Sequence, residues 1–200
     1  MSQRISIAVP AFLVIALCLW LGGPASAYDP ALLSQIIATT KGGTASVAAW
    51  ITEAGGSMML VPVALAGAVW LAWKRETQRA LFLLGCALGG RMAVELVKLL
   101  VERHRPEIVP YPVHVSSFSF PSGHAANSMI TFLALALVVA PPAHRRPAVV
   151  AAIASSLLIG STRPVLGVHW PSDVVAGWAF GILWVTQCVA LVSRRGETGA

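Results

Sequence analysis

Apolar residues run in long blocks separated by short polar breaks. The blocks cover positions 5–22, 58–73, 80–101, 125–140, 148–160 and 174–192. A helix needs about 20 apolar residues to cross the hydrocarbon, so the shorter blocks must borrow flanking residues. The pattern predicts an all-α fold, a polytopic membrane bundle of about six transmembrane helices, or five if the first is a cleaved signal peptide. Positions 28–56 are only weakly apolar. Leu32, Leu33, Ile36 and Ile37 recur there at helical spacing, which fits an extracytoplasmic interfacial helix, and Gly42-Gly43 and Gly55-Gly56 punctuate it. The expected layout is a first helix or signal peptide at 1–27, the interfacial segment at 28–56, a core at 57–193 and a cytoplasmic tail at 194–200.

Composition narrows this further. Hydrophobic residues make up 56% of the 200 positions and charged residues 11%. A soluble domain carries about 25% charged residues, so lipid is the expected solvent. The net charge of +6 collects at the ends of apolar blocks, which excludes a nucleic-acid footprint and leaves membrane lipids as the surroundings. Cys18, Cys86 and Cys188 lie inside apolar blocks, as buried free thiols do, with no disulfide framework.

The start of the chain has two readings. Arg4 precedes the first apolar block, and Ala25-Ser26-Ala27 resembles a signal-peptidase site. The block is longer than the roughly 7–15 residues of a signal core, which favours a retained helix. Both readings put Tyr28 outside the cytoplasm. Basic clusters set the orientation: Arg4, then Lys74, Arg75 and Arg79, then Arg145 and Arg146, then Arg194 and Arg195. Alternating spans bring all four to one side, the cytoplasmic one in a cytoplasmic (inner) membrane. The loops 102–121 and 161–172 then face outward. They are basic as well, against the rule, which points to a site.

The candidate chemistry falls at those outward ends. Arg91, Glu95, Lys98 and Glu102 share one helix face. For Arg91 and Glu95 an internal ion pair is the expected role. Lys98 differs, because Arg105 follows two turns later if the helix continues, and Pro106 then stops it. Pro121-Ser122-Gly123-His124 opens the next span, with proline at the first helical position. A helix N-terminus with a glycine is an anion site, and Ser122 adds a hydroxyl. Arg163, His169 and Asp173 precede or open the last span. The carboxylate can reach the His169 ring, fix its tautomer and raise its basicity. Trp170 reads as an interface anchor, and His114 as a solvated loop histidine or a headgroup contact. Cations with helix N-termini suit a phosphate. Two histidines with one carboxylate suit phosphoryl transfer through a covalent intermediate. Acidic residues are few and dispersed, so no metal site and no cofactor is expected.

These residues carry a resemblance to the type 2 phosphatidic acid phosphatase family, whose wider superfamily includes the vanadium haloperoxidases. The first motif is Lys98 to Arg105-Pro106 (KLLVERHRP). The second is Pro121–His124 (SFSFPSGHAANS). The third is Arg163, His169 and Asp173 (STRPVLGVHWPSD), with Thr162 where the family usually has serine. The resemblance implies a metal-independent lipid phosphatase. In it His169 attacks phosphorus, Asp173 orients it and His124 handles the leaving-group proton. Lys98, Arg105, Ser122, Gly123 and Arg163 hold the phosphate oxygens. The implied substrate is a lipid phosphate or diphosphate of the undecaprenyl diphosphate, phosphatidic acid or phosphatidylglycerophosphate type. A lipid A phosphatase or phosphotransferase on the same site, and a lipid-binding or transport protein without turnover, are the alternatives.

Overall fold

The computed structural model describes residues 2–23, 26–40, 42–111, 113, 115 and 117–197, with side chains described between 9 and 193. The side chains of Arg4, Arg194 and Arg195, together with His114 and Ala25, lie outside the described residues. Among the described residues eight α-helices follow in order: α1 (Ser2–Leu21), α2 (Tyr28–Thr39), α3 (Thr44–Glu53), α4 (Ser57–Trp73), α5 (Thr77–Val101), α6 (Gly123–Val138), α7 (Arg145–Val165) and α8 (Pro171–Glu197). No strand occurs among the described residues. Among the described residues four stretches are long and apolar enough to cross a membrane: Thr44–Trp73, Thr77–Val101, Pro142–Val165 and Pro171–Ser193. Val9–Leu21 and Gly123–Val138 are shorter apolar helices. The all-α membrane bundle expected from the apolar blocks is the observed architecture.

α6 sits at the centre, against α5, α7 and α8. Its face of Met129, Ile130, Leu133 and Ala134 joins Leu83 and Cys86 of α5, Ala152 of α7 and Val185 of α8 in one core. Small residues let the helices close up where lipid gives no hydrophobic drive between them. Gly160 of α7 faces the Trp178 ring, and Gly90 of α5 faces Trp184. Polar links replace water in the same contacts: Trp178 Nε1 donates to Ser156 O at 3.0 Å, Trp184 Nε1 to Cys86 O at 2.9 Å, and Ser128 and Ser156 share a bond of 2.8 Å. α1 packs along α8 through Cys18, Ala176 and Phe120. Cys18 and Cys86 are buried, Cys188 is half-buried, and all three are free.

Three helix ends differ from the sequence expectation. α5 stops at Val101, because Glu102 takes a left-handed backbone (φ 49°) and caps it. Glu102 is thus off the Arg91 face, and Arg105 stands in a loop instead of two turns above Lys98. α6 begins at Gly123 with Ser122 as its N-cap, so Pro121 precedes the helix and does not occupy its first position. α7 runs five residues past the apolar block and carries Arg163 in its last turn. Arg163 is therefore a helix residue, not part of an outer loop.

Candidate active site

The starts of α6 and α8 are tied together before any side chain is placed. The Ser122 amide donates to Asp173 O at 2.9 Å. Close approach is possible because Gly177, one turn into α8, faces Ser122 O, where a Cβ would sit 2.8 Å away. Pro171 opens α8 at a position where a missing N–H costs nothing. Gly167, at φ +69°, makes the tight link from α7 that sets His169 just ahead of it.

A cavity of about 370 Å³ opens at this junction. Lys98, Arg105, Gly123, His124, Arg163 and His169 line it, together with Arg91, Glu95, Ser117 and Asn127. Six of the eight residues singled out from sequence thus face one space. Ser122 and Asp173 stand behind it. Ser122 Oγ is fully buried and has no hydrogen-bond partner among the described residues.

Each cation is fixed by different neighbours. Lys98 Nζ donates to Glu95 Oε1 at 3.1 Å and to Ser117 Oγ at 2.9 Å. Arg105 is clamped by backbone carbonyls: Nε to Ser117 O and Nη1 to Val168 O, both at 2.7 Å. Arg163 Nη1 donates to Thr52 Oγ1 of α3 at 2.8 Å, while its Nε is buried without a partner among the described residues. Gly123 lets the start of α6 come close to Lys98, since a Cβ there would lie 3.3 Å from Lys98 Nζ. Gly55, between α3 and α4, abuts His124, where a Cβ would come within 3.1 Å of the ring.

The geometry selects one tautomer of His169. Its Nε2 lies 3.0 Å from Arg105 Nη1. A guanidinium only donates, so Nε2 must be the acceptor and Nδ1 must carry the proton. Nδ1 faces Asp173 Oδ2 at 3.4 Å and Ser119 Oγ at 3.3 Å. Burial, followed by the positive charges of Arg105, Arg163 and Lys98, holds the imidazole well below the usual histidine range. His169 is therefore neutral, with its lone pair toward the cations.

Asp173 does reach back to His169, but its shorter contacts go elsewhere. Ser119 Oγ donates to Oδ2 at 2.5 Å and the Trp170 amide to the same oxygen at 3.0 Å. Arg103 Nη1 lies 2.5 Å from Oδ1. Arg103 Nη2 in turn lies 2.7 Å from Asp29 Oδ2 of α2, and Asp29 accepts from the Ser172 amide at 3.0 Å. Ser172 Oγ also bonds Asp29. Trp170 stacks near the Arg103 guanidinium and donates to His104 O at 3.0 Å. Arg103, Asp29, Ser119, Ser117, Thr52 and Asn127 were not singled out from sequence. Arg103 stood there as a third cation between Lys98 and Arg105, and Ser117, Ser119 and Asn127 stood within the stretch SFSFPSGHAANS without an assigned role. The expected pair of Arg91 with Glu95 is absent among the described residues, because Glu95 turns to Lys98.

Comparison with known proteins follows the same lines. The family model for the PAP2 superfamily matches residues 79–197. Phosphatidylglycerophosphatase B of Bacillus subtilis is 31% identical over 177 residues, 86% of each chain. Lipid A 1-phosphatase of Rhizobium etli is 31% identical over 152 residues, 72% of this chain and 60% of that one. Undecaprenyl-diphosphatase of Sulfolobus acidocaldarius is 26% identical over 74% of this chain and 69% of that one. The crystal structure of a transmembrane PAP2 type phosphatidylglycerolphosphate phosphatase from Bacillus subtilis superposes with a TM-score of 0.84 at 27% identity, over 97% of this chain and 98% of that one.

Proposed function

This chain belongs to the PAP2 superfamily, its relatives support a membrane lipid phosphatase, and from that membership we propose that it hydrolyses a lipid phosphate or diphosphate through a phosphohistidine on His169. One observation carries the reading: the His169 lone pair faces a cavity walled by Lys98, Arg105 and Arg163, while its proton faces Asp173.

The substrate's phosphate enters among the three cations and the first turn of α6. Its oxygens draw the Arg105 guanidinium off Nε2, and the freed lone pair attacks phosphorus. The P–O bond to the lipid breaks as N–P forms, and His124, entering as the imidazolium beside the substrate's negative charge, gives the leaving oxygen its proton and is left neutral. His124 then takes a proton from water, which attacks phosphorus and releases phosphate from Nε2. Gly123 lets the phosphate approach the helix start, and the unpartnered Ser122 hydroxyl and Arg163 Nε are donors in reserve. Positioning and electrostatic stabilisation supply the catalysis, as in phosphoryl transfer generally. The reaction is proposed to be metal-independent, with Lys98, Arg105 and Arg163 supplying the positive charge around the phosphate. Full turnover in EDTA is the matching expectation.

We read the site as facing the extracytoplasmic side of the inner membrane. The α4–α5 link carries Lys74 and Arg75, the start of α7 carries Arg145 and Arg146, and the site lies at the opposite helix ends. The substrate is read as a phosphatidylglycerophosphate, phosphatidic acid or undecaprenyl diphosphate type. The test is phosphate release by purified protein across those three lipids and lipid A, with acid-quench trapping of radiolabel. An acid-labile, base-stable label absent from His169→Ala supports the mechanism. Label that persists in that variant overturns it, and preferred release from lipid A would move the substrate to that class.

A further inference from the structure

The cavity is longer than one phosphate requires. Along α5 it is lined from Lys98 down through Glu95 to Arg91. Seven residues of helix return almost to the same face and rise about 10 Å, so Arg91 stands well below the site, toward the middle of the span. Gly55, in the link before α4, and Ser57, the first residue of α4, also line the cavity.

Arg91 is out of balance with its surroundings. It is half-buried in a stretch apolar enough to cross a membrane. A cation there is costly, and such groups face a cavity and find a partner. Glu95, one turn above, is the acid on this wall, and it is taken by Lys98 at 3.1 Å. Among the described residues Arg91 makes no hydrogen bond or ion pair. The cavity wall thus holds the four cations Arg91, Lys98, Arg105 and Arg163 against the one carboxylate of Glu95. A single phosphate beside His169 answers Lys98, Arg105 and Arg163, and it leaves Arg91 unanswered.

We infer that Arg91 is a subsite for a second phosphate of the substrate, joined to the reacting one through a glycerol. The inference rests on the phosphatase reading of His169. The lipid's tails lie in the membrane, so the reacting monoester at the end of the headgroup is uppermost. The phosphodiester that joins the glycerol to the diacylglycerol then falls below it, on the side where Arg91 waits. A guanidinium suits such a group, because its planar fork takes two phosphate oxygens at once. A directly bonded diphosphate keeps both phosphorus atoms among the upper cations and makes less use of Arg91. Phosphatidic acid has no second phosphate at all. Arg91 is accordingly a specificity-determining residue for lipids of the phosphatidylglycerophosphate type.

Binding tests this apart from turnover. The full chain carrying His169→Ala, in detergent micelles, is titrated with radiolabelled phosphatidylglycerophosphate and phosphatidic acid. The same is done with Arg91→Gln added. The ratio of the two affinities should fall about 10- to 100-fold on the second change, the range for one charge-assisted contact. A ratio held within threefold overturns the subsite, whether both affinities drop together or neither moves. If Arg91→Gln does not accumulate, Arg91→Lys keeps the charge without the fork and should give an intermediate ratio, while an unchanged ratio again overturns it. Absence of hydrolysis by the unsubstituted enzyme would instead remove the phosphatase reading, and the binding ratio would still decide the role of Arg91.

Discussion

Arg103 Nη1 lies 2.5 Å from Asp173 Oδ1, closer than His169 Nδ1 comes to the other oxygen of the same carboxylate. The carboxylate beside His169 is thus itself held, and Arg103 is held from behind by Asp29 of α2. Both carboxylates are almost completely buried. Replacing Arg103 by alanine leaves them facing each other without their shared cation. Loss of one partner of a buried pair costs about 3–5 kcal/mol. The thermal midpoint of Arg103→Ala in detergent should fall accordingly, with Asp29→Asn milder because Arg103 keeps Asp173. An Arg103→Ala protein as stable as the parent would show that the brace is not structural.

The two histidines should separate kinetically. His124→Ala should slow an alkyl phosphate by about 10²- to 10⁴-fold, since the alkoxide then leaves without a proton. An aryl phosphate needs less help and should lose less in its first step. Its phosphoenzyme should accumulate, because the base for the second step is gone. Rapid-quench measurement of bound label against released phenol reads both. Equal losses on the two substrates would take the general-acid role from His124.

Acid should destabilise the fold through His169. Its folded value lies below the usual one, so between the two the unfolded chain binds a proton that the native chain does not. Stability then rises with pH up to about 6.5 and declines below it. Arg105→Gln removes the cation nearest Nε2 and should lift the His169 titration. The acid loss of stability would shrink in that variant. Denaturation midpoints across pH 4.5–7.5, a range of about three units around the free value, give the comparison. A parent and variant with the same acid slope would contradict it.

Gly123→Ala sets helix stability against phosphate binding. Gly123 is the first residue of α6, where alanine can take the same helical backbone and loses less conformational entropy on folding, so the fold should not weaken. The new methyl would stand 3.3 Å from Lys98 Nζ, in the path of a phosphate oxygen. Inhibition by inorganic phosphate should weaken about tenfold or more, the value of one charge-assisted contact. Unchanged inhibition in a well-folded variant would place the phosphate elsewhere.

What the sequence made legible is what repeats along it. Apolar blocks mark the helices, and the basic residues between them mark the ends. The spacing of Lys98, Arg105, Gly123, His124, Arg163 and His169 brings them to one cavity. The backing of the site was not legible, because its contacts join distant parts of the chain. Thr52 meets Arg163, and Asp29 meets both Arg103 and Ser172, with nothing local to announce them. Helix ends failed where a residue broke its own preference. Glu102 turns left-handed, which a glutamate rarely does. Pro164 sits inside the last turn of α7, and Arg163 before it stays helical.

The row from Asp29 through Arg103 and Asp173 to His169 can also be read as an account of charge. Two carboxylates against one guanidinium leave one negative charge over while the imidazole is neutral. In the proposed phosphohistidine, with Nε2 bonded to phosphorus and Nδ1 still protonated, the ring is positive and the row sums to zero. The protein thus has its counter-charge in place before the reaction asks for it, and needs no rearrangement at that moment. In such a site the resting enzyme is the unbalanced state. The helix that carries Asp29 stands outside the cavity, yet it helps decide which state that is.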